Sequence, residues 1–279
     1  MPAKRLLGIF AHPDDEGIIS GTLLHYHELE VETGLVYATR GEAGDISDLS
    51  LATPANLGTV REQEARAAAQ ILGVDHLWFL DYRDSGMAGT AHNQDPHALI
   101  NARSVDVIAQ LVKIIREFKP QVIITFDETG IYRHPDHIAI YKHTTAAFHA
   151  AADTILFPYL GEGHAAAKLY YTSFSRRHLL TMADWFETES YDSVLKGLDV
   201  EHLGLADQQI SVVLDVERWY ETKQLARQQH RTQTSPNSPQ AHIPSELQRK
   251  WKGTEFFQLA ASRVGDDVIG ENDLFARVL

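Results

Sequence analysis

Arg5-Leu-Leu-Gly-Ile-Phe-Ala11 runs without a spacer into His12-Pro13-Asp14-Asp15-Glu16. The first seven residues show no apolar–polar alternation, which predicts a short strand buried on both faces, as in a parallel sheet covered by helices on either side. Pro13 fixes a turn, and carboxylates side by side suit a helix start. Glu16 to Leu29 then carries Ile19, Leu23 and Tyr26 near helical spacing. The same wording returns later in the chain. Val122-Ile-Ile-Thr-Phe126 is apolar on both faces and leads, through the loop Asp127 to Ile131, into Tyr132-Arg133-His134-Pro135-Asp136-His137.

Between these stretches, strands and helices alternate. Leu35 to Thr39 reads as a strand that opens into Arg40-Gly-Glu-Ala-Gly44. Thr59-Val-Arg-Glu62 is a capping-box pattern that predicts a helix running to about Leu72, with Gly73 as its stop. His76 to Leu80 predicts a third strand, followed by a polar loop from Asp81 to about Asn101. Val105, Ile108, Val112 and Ile115 predict one face of a further helix, which Pro120 ends. The order βαβαβαβ predicts an α/β fold, a Rossmann-like doubly wound and mostly parallel sheet with helices on both faces.

Past residue 150 the pattern weakens. Strands are expected over 168–175, 209–216 and 255–261, helices over 217–230 and 245–252, and a flexible loop over 232–244, where two Ser-Pro pairs fall. There is no internal repeat and no clean boundary. The chain reads as a single domain over 1–279, with a core over 1–150 and a C-terminal elaboration over 151–279.

Composition narrows the function. The 279 residues hold 25 Lys and Arg against 38 Asp and Glu, a net charge of −13. That balance argues against nucleic acid or an anionic membrane surface as partner. No early apolar stretch is long enough for a signal peptide or a membrane span, so a cytoplasmic protein is expected. There are no cysteines and 15 histidines, so a metal site here must be built from imidazole and carboxylate.

A single His-Pro-Asp is often a turn followed by a helix cap. Two of them, each closing an apolar strand and opening a helix, are hard to explain as caps. Both lie at the carboxyl ends of their strands, where open α/β sheets bind ligands. His12, Asp15 and His137 supply two imidazoles and a carboxylate, the ligand count of a catalytic zinc with one position left open. Asp14 is then a spare carboxylate fit to act as general base. His134, one turn before His137, suits a proton donor or oxyanion stabiliser, oriented by Asp136 or Asp127. These are the parts of a metal-assisted amide or ester hydrolase. A dinucleotide-binding domain is disfavoured, because no Gly-rich phosphate turn follows the first strand.

The motif pair resembles the LmbE-like, or PIG-L, family of zinc-dependent de-N-acetylases. The resemblance implies zinc, with iron or another divalent ion as an alternative, on His12, Asp15 and His137. It implies Asp14 as general base, His134 as acid or oxyanion stabiliser with Asp136 as its charge-orienting neighbour, and Tyr132 as a group that polarises the substrate carbonyl. Glu42, Arg61 and Asp84 match sugar-binding segments, and Lys223 with His230 matches a late segment near the site. Surface pairing of Arg61 with Glu64 or Glu42, and a plain turn role for Asp84, are the competing readings. The implied partner is a small amino-sugar, and the implied reaction is removal of acetyl from an N-acetylglucosamine conjugate. The alternatives are an amidase cutting a larger amino-sugar conjugate, as in the mycothiol-conjugate branch, and a non-catalytic metal- or sugar-binding module. Relatives often assemble, which makes a homo-oligomer an expectation too.

Overall fold

The computed structural model describes residues 3–190, 199–235, 239–265 and 271–278. These form a seven-stranded sheet, β1 (Arg5–Phe10), β2 (Glu32–Tyr37), β3 (His76–Phe79), β4 (Val122–Phe126), β5 (Lys168–Ser173), β6 (Val212–Asp215) and β7 (Thr254–Ser262), in the order β3-β2-β1-β4-β5-β7-β6. The first five are parallel, and β7 pairs antiparallel with both β5 and β6. The α/β, mostly parallel sheet expected from the sequence is therefore present. The chain runs outward from β1 through β2 to β3, then returns to β4 on the other side of β1. That reversal places a crevice at the carboxyl ends of β1 and β4.

The helices are α1 (Ser20–Glu28), α2 (Leu57–Ile71), α3 (Ser104–Phe118), a single turn α4 (Gly130–Arg133), α5 (Pro135–Ala152), α6 (Arg176–Thr188), α7 (Tyr220–Arg227) and α8 (Ser245–Lys252). Helix α3 packs on α5, while α1 and α2 pack on α7. The main core runs from Leu6 in β1 to Val278, so the C-terminal segments share the apolar interior of the first 150 residues. No described helix is long and apolar enough to cross a membrane.

Several boundaries moved from their expected places. Glu16 to Leu29 divides into a 3-10 turn, Asp15–Ile19, and α1. Helix α2 starts at Leu57 after Asn56, which leaves Thr59 inside the helix and not at its cap. In α3 the buried face is Val107, Leu111, Ile114, Ile115 and Phe118 together with Val112, and Val105 is 45% exposed. The expected strand 209–216 shortens to β6, and the expected helix 217–230 to α7 behind a 3-10 turn. Helix α6 was not expected: only Leu179 and Phe186 of its thirteen residues are buried, too sparse a stripe to read.

The packing of α1 against the C-terminal half is tight at Gly21. A Cβ there would stand 2.4 Å from Val216 Cβ, while Gly21 N donates to Glu255 Oε1 at 2.8 Å. Gly21→Ala is expected to destabilise the fold by about 1–3 kcal/mol through overpacking. Thermal unfolding checks this, and an unchanged Tm would contradict the close approach.

Candidate active site

Beyond β1 the backbone turns sharply. Asp14 takes a positive φ of 95°, and the amides of Ala11 and His12 donate to Asp15 Oδ2 at 3.2 and 2.7 Å. One Asp15 oxygen is thereby fixed to the turn, and Oδ1 is left facing His137 Nε2 at 3.2 Å. Beyond β4, Ile131 and Arg133 also have positive φ (67° and 66°), an unfavourable conformation for a β-branched residue. The distortion delivers His134 as N-cap of α5, with Pro135 in the first turn and His137 one turn in.

Three acceptor atoms converge between the two strand ends. His137 Nδ1 lies 3.1 Å from Gly130 O, so that nitrogen carries the proton and Nε2 presents a lone pair. His12 Nε2 lies 3.2 Å from Asp136 Oδ2 and 3.4 Å from Asp84 Oδ1, so its lone pair is on Nδ1. The Nδ1 of His12 and Nε2 of His137 are 3.3 Å apart, and Asp15 Oδ2 is 3.6 Å from that Nδ1. Two imidazole lone pairs and a carboxylate at such range repel unless a proton or a metal ion lies between them, and Asp84 and Asp136 favour a cation at His12. Tetrahedral zinc, with ligands at about 2.0–2.2 Å, needs donors separated by about 3.3–3.6 Å; the His12 and His137 nitrogens meet this at 3.3 Å, and Asp15 turns a different oxygen to each ring. The outer contacts are those that commonly brace metal-bound histidines: a carbonyl on His137 and carboxylates on His12. Phe126 stacks on His137 with ring centres 4.1 Å apart. His134 adds a further imidazole nitrogen to the group.

The carboxylates differ in access. The Asp14 side chain is 38% exposed, against 9% for Asp15, 5% for Asp84 and none for Asp136. Asp14 Oδ1 lies 3.4 Å from Arg61 Nη2. Burial of the surrounding pocket pushes the Asp14 carboxyl above its usual range, partly offset by the Arg61 guanidinium. His134 Nδ1 accepts the Asp136 amide at 3.2 Å, which leaves Nε2–H as the outward donor. Burial, then the neighbouring His12 and His137, push His134 down to about 4. The Tyr132 ring sits 6.0 Å from that of His134 and 5.1 Å from that of His137. Burial and then Asp15 and Asp14 raise its phenol, keeping it a hydrogen-bond donor.

Other expected site residues take different places. The Asp136 carboxylate does not orient His134: it accepts the Ser85 amide at 2.9 Å and the Ser85 hydroxyl, and holds His12. Asp127 accepts from Thr129 and Ile131 and shapes the loop instead. Asp84 is neither an open sugar contact nor a free turn residue. It is 4% exposed, pressed against His12, and held by the amides of Gly86 and Ala43. Glu42 Oε2 accepts the Asp84 amide at 3.1 Å and so supports the wall. Arg61 pairs with neither Glu64 nor Glu42. Its guanidinium is buried and donates to Gly41 O and Pro13 O, at 2.9 and 2.5 Å. Gly41 is small for that reason: a Cβ there would lie 2.2 Å from Arg61 Nη1.

The late segment divides in two. Lys223 belongs to a buried ion pair with Glu255 at 2.6 Å, whose carboxylate also holds the start of α1. Charge pairing below the surface takes it out of the pocket. His230 reaches Glu16 Oε1 at 2.7 Å, behind Asp14. Thr232 is fully buried and bonds Glu64 through both amide and hydroxyl. The expected flexible loop therefore does not begin at Thr232, and Pro236 to Ser238 lie outside the described residues. Sequence reasoning missed Ser85, Gly130 and Tyr37. Ser85 lies next to Asp84 in the polar loop after β3, but a carbonyl bond such as that of Gly130 leaves no signal in residue types.

Comparison with known proteins gives the family and the fold. The chain is 35% identical to the 1D-myo-inositol 2-acetamido-2-deoxy-alpha-D-glucopyranoside deacetylase of Geodermatophilus obscurus, over 99% of this chain and 98% of that one. The fold resembles N,N'-diacetylchitobiose deacetylase from Pyrococcus horikoshii, with TM-score 0.62 and 20% identity over 92% of this chain and 84% of that one. It also resembles a conserved protein from Thermus thermophilus, with TM-score 0.62 and 21% identity over 94% and 96% of the two chains. Residues 7–148, which carry both His-Pro-Asp turns, match the family described as PIG-L: GlcNAc-PI de-N-acetylase, and the chain belongs to that family.

Proposed function

We propose that this protein is a zinc-dependent hydrolase that removes the acetyl group from the 2-acetamido position of an N-acetylglucosamine conjugate. The observation that carries the reading is the convergence of His12 Nδ1, His137 Nε2 and the Asp15 carboxylate beside the most exposed carboxylate of the group, Asp14. A divalent ion held by those three residues supplies Lewis acidity toward water and toward the acyl carbonyl. Asp14 accepts the proton of the attacking water, and that proton is the one the departing amine needs. His134 presents Nε2–H to the oxygen on which charge develops, held by the Asp136 amide at its other nitrogen. Tyr132 adds a second donor: its phenol stays protonated and its hydroxyl makes no hydrogen bond among the described residues. The name of the Geodermatophilus relative makes the inositol conjugate the first substrate to test.

Acetate release from N-acetylglucosamine, its inositol and malate conjugates and diacetylchitobiose, each with and without chelator, tests the reading. Chelator-sensitive acetate is expected, fastest from one conjugate. Zinc-loaded protein that releases no acetate from any of them would overturn it and favour a larger conjugate as amidase substrate.

A further inference from the structure

Glu16 has no part in the chemistry above, yet it is only 2% exposed at the start of a helix, where a carboxylate would ordinarily be solvated. Its two oxygens are fully engaged. Oε2 accepts the backbone amide of Asp14 at 2.9 Å and the Tyr37 hydroxyl at 2.6 Å. Oε1 faces His230 Nε2 at 2.7 Å. Tyr37 and His230 are themselves buried, and His230 lies 214 residues away in sequence. A buried carboxylate needs such partners to offset the loss of water. The residue whose amide it binds is Asp14, which holds a backbone conformation that non-glycine residues seldom adopt. The Asp14 carbonyl is tied too, accepting from Gly17 N at 3.0 Å.

We propose that Glu16 is a positioning residue: clamped by Tyr37 and His230, it holds the Asp14 backbone so that the Asp14 carboxylate faces the reacting water. This rests on the reading of Asp14 as general base. The clamp reaches Asp14 through an accepted hydrogen bond, while the charge of Glu16 is met by His230. Glutamine at position 16 can accept the same amide and hydroxyl through its oxygen, and gives up the charged contact with His230 in exchange for an NH₂ that His230 accepts only with its proton on the unpartnered Nδ1.

The test is a comparison of Glu16→Ala, Glu16→Gln and Asp14→Asn for kcat, KM and bound metal. Displacement of a catalytic group by about 1 Å can cost about 100-fold, so Glu16→Ala is expected to lower kcat by about that much. KM should be little changed, metal should stay at wild-type stoichiometry, and Glu16→Gln should recover most of the loss. If Glu16→Ala does not fold, Tyr37→Phe takes its place, because it frees one clamp bond without touching Asp14. It is expected to lower kcat severalfold with KM and metal retained. Wild-type kcat in the alanine variant (or, where that fails to fold, in Tyr37→Phe), or loss of metal in step with kcat, overturns the proposal. Full activity in Asp14→Asn would instead remove the base assignment on which it stands.

Discussion

Asp14→Asn is expected to lower kcat by about 10²–10⁴-fold, the usual worth of a positioned general base, while metal content and KM stay near wild type. Asparagine has nearly the shape of aspartate. It keeps an oxygen toward Arg61 Nη2 and the same backbone, whose amide is held by Glu16. What it lacks is a site that takes a proton from water. Asp14 is not among the three converging acceptors, so metal should be retained. Acetate release gives kcat and KM, and elemental analysis of the purified variant gives the metal. Full turnover would remove Asp14 from the mechanism. Loss of metal would move it into the ligand set.

The same contrast shows what a sequence reveals and what it hides. Both turns were legible, because each follows an uninterrupted apolar strand and breaks at a proline, which are local signals. Their convergence was legible from topology alone, since a doubly wound order brings the ends of β1 and β4 together. The partners of the buried charges were not. In sequence, Lys223, Arg61 and Asp84 look like any surface charge. Burial gave them to Glu255, to the carbonyls of Gly41 and Pro13, and to His12. Each of these pairs joins residues at least 20 positions apart, beyond what periodicity can report.

Asp136 makes the point within a motif. It is two residues from His134, and proximity in sequence suggested that it orients that ring. His134 is the N-cap, with extended backbone, and Asp136 lies in the first turn of α5, so the two side chains leave the chain from different conformations. The carboxylate hydrogen-bonds Ser85 and His12, its backbone amide bonds His134, and its charge reaches that ring only at a distance.

His137→Ala is expected to abolish metal binding and with it the chelator-sensitive activity, leaving only the rate of chelated wild type. His137 contributes the nitrogen nearest both other acceptors, 3.3 Å from His12 and 3.2 Å from Asp15. Its alignment is built in by Gly130 O on one side and the Phe126 ring on its face, so no neighbour replaces it by a small shift. A site reduced to one imidazole and one carboxylate falls short of the three protein ligands a catalytic zinc uses. Asp136→Asn provides the graded comparison. It keeps all three ligands and weakens the carboxylate hold on His12 and on Ser85, a change around a metal ligand that ordinarily costs about 10–100-fold in metal affinity or activity. Titration with added zinc separates the two cases. Activity of Asp136→Asn should return as zinc is raised, and that of His137→Ala should not. Equal rescue of both by zinc would show that His137 does not hold the ion, and the ligand set would have to be redrawn around His12 and His134, the other buried imidazoles in reach.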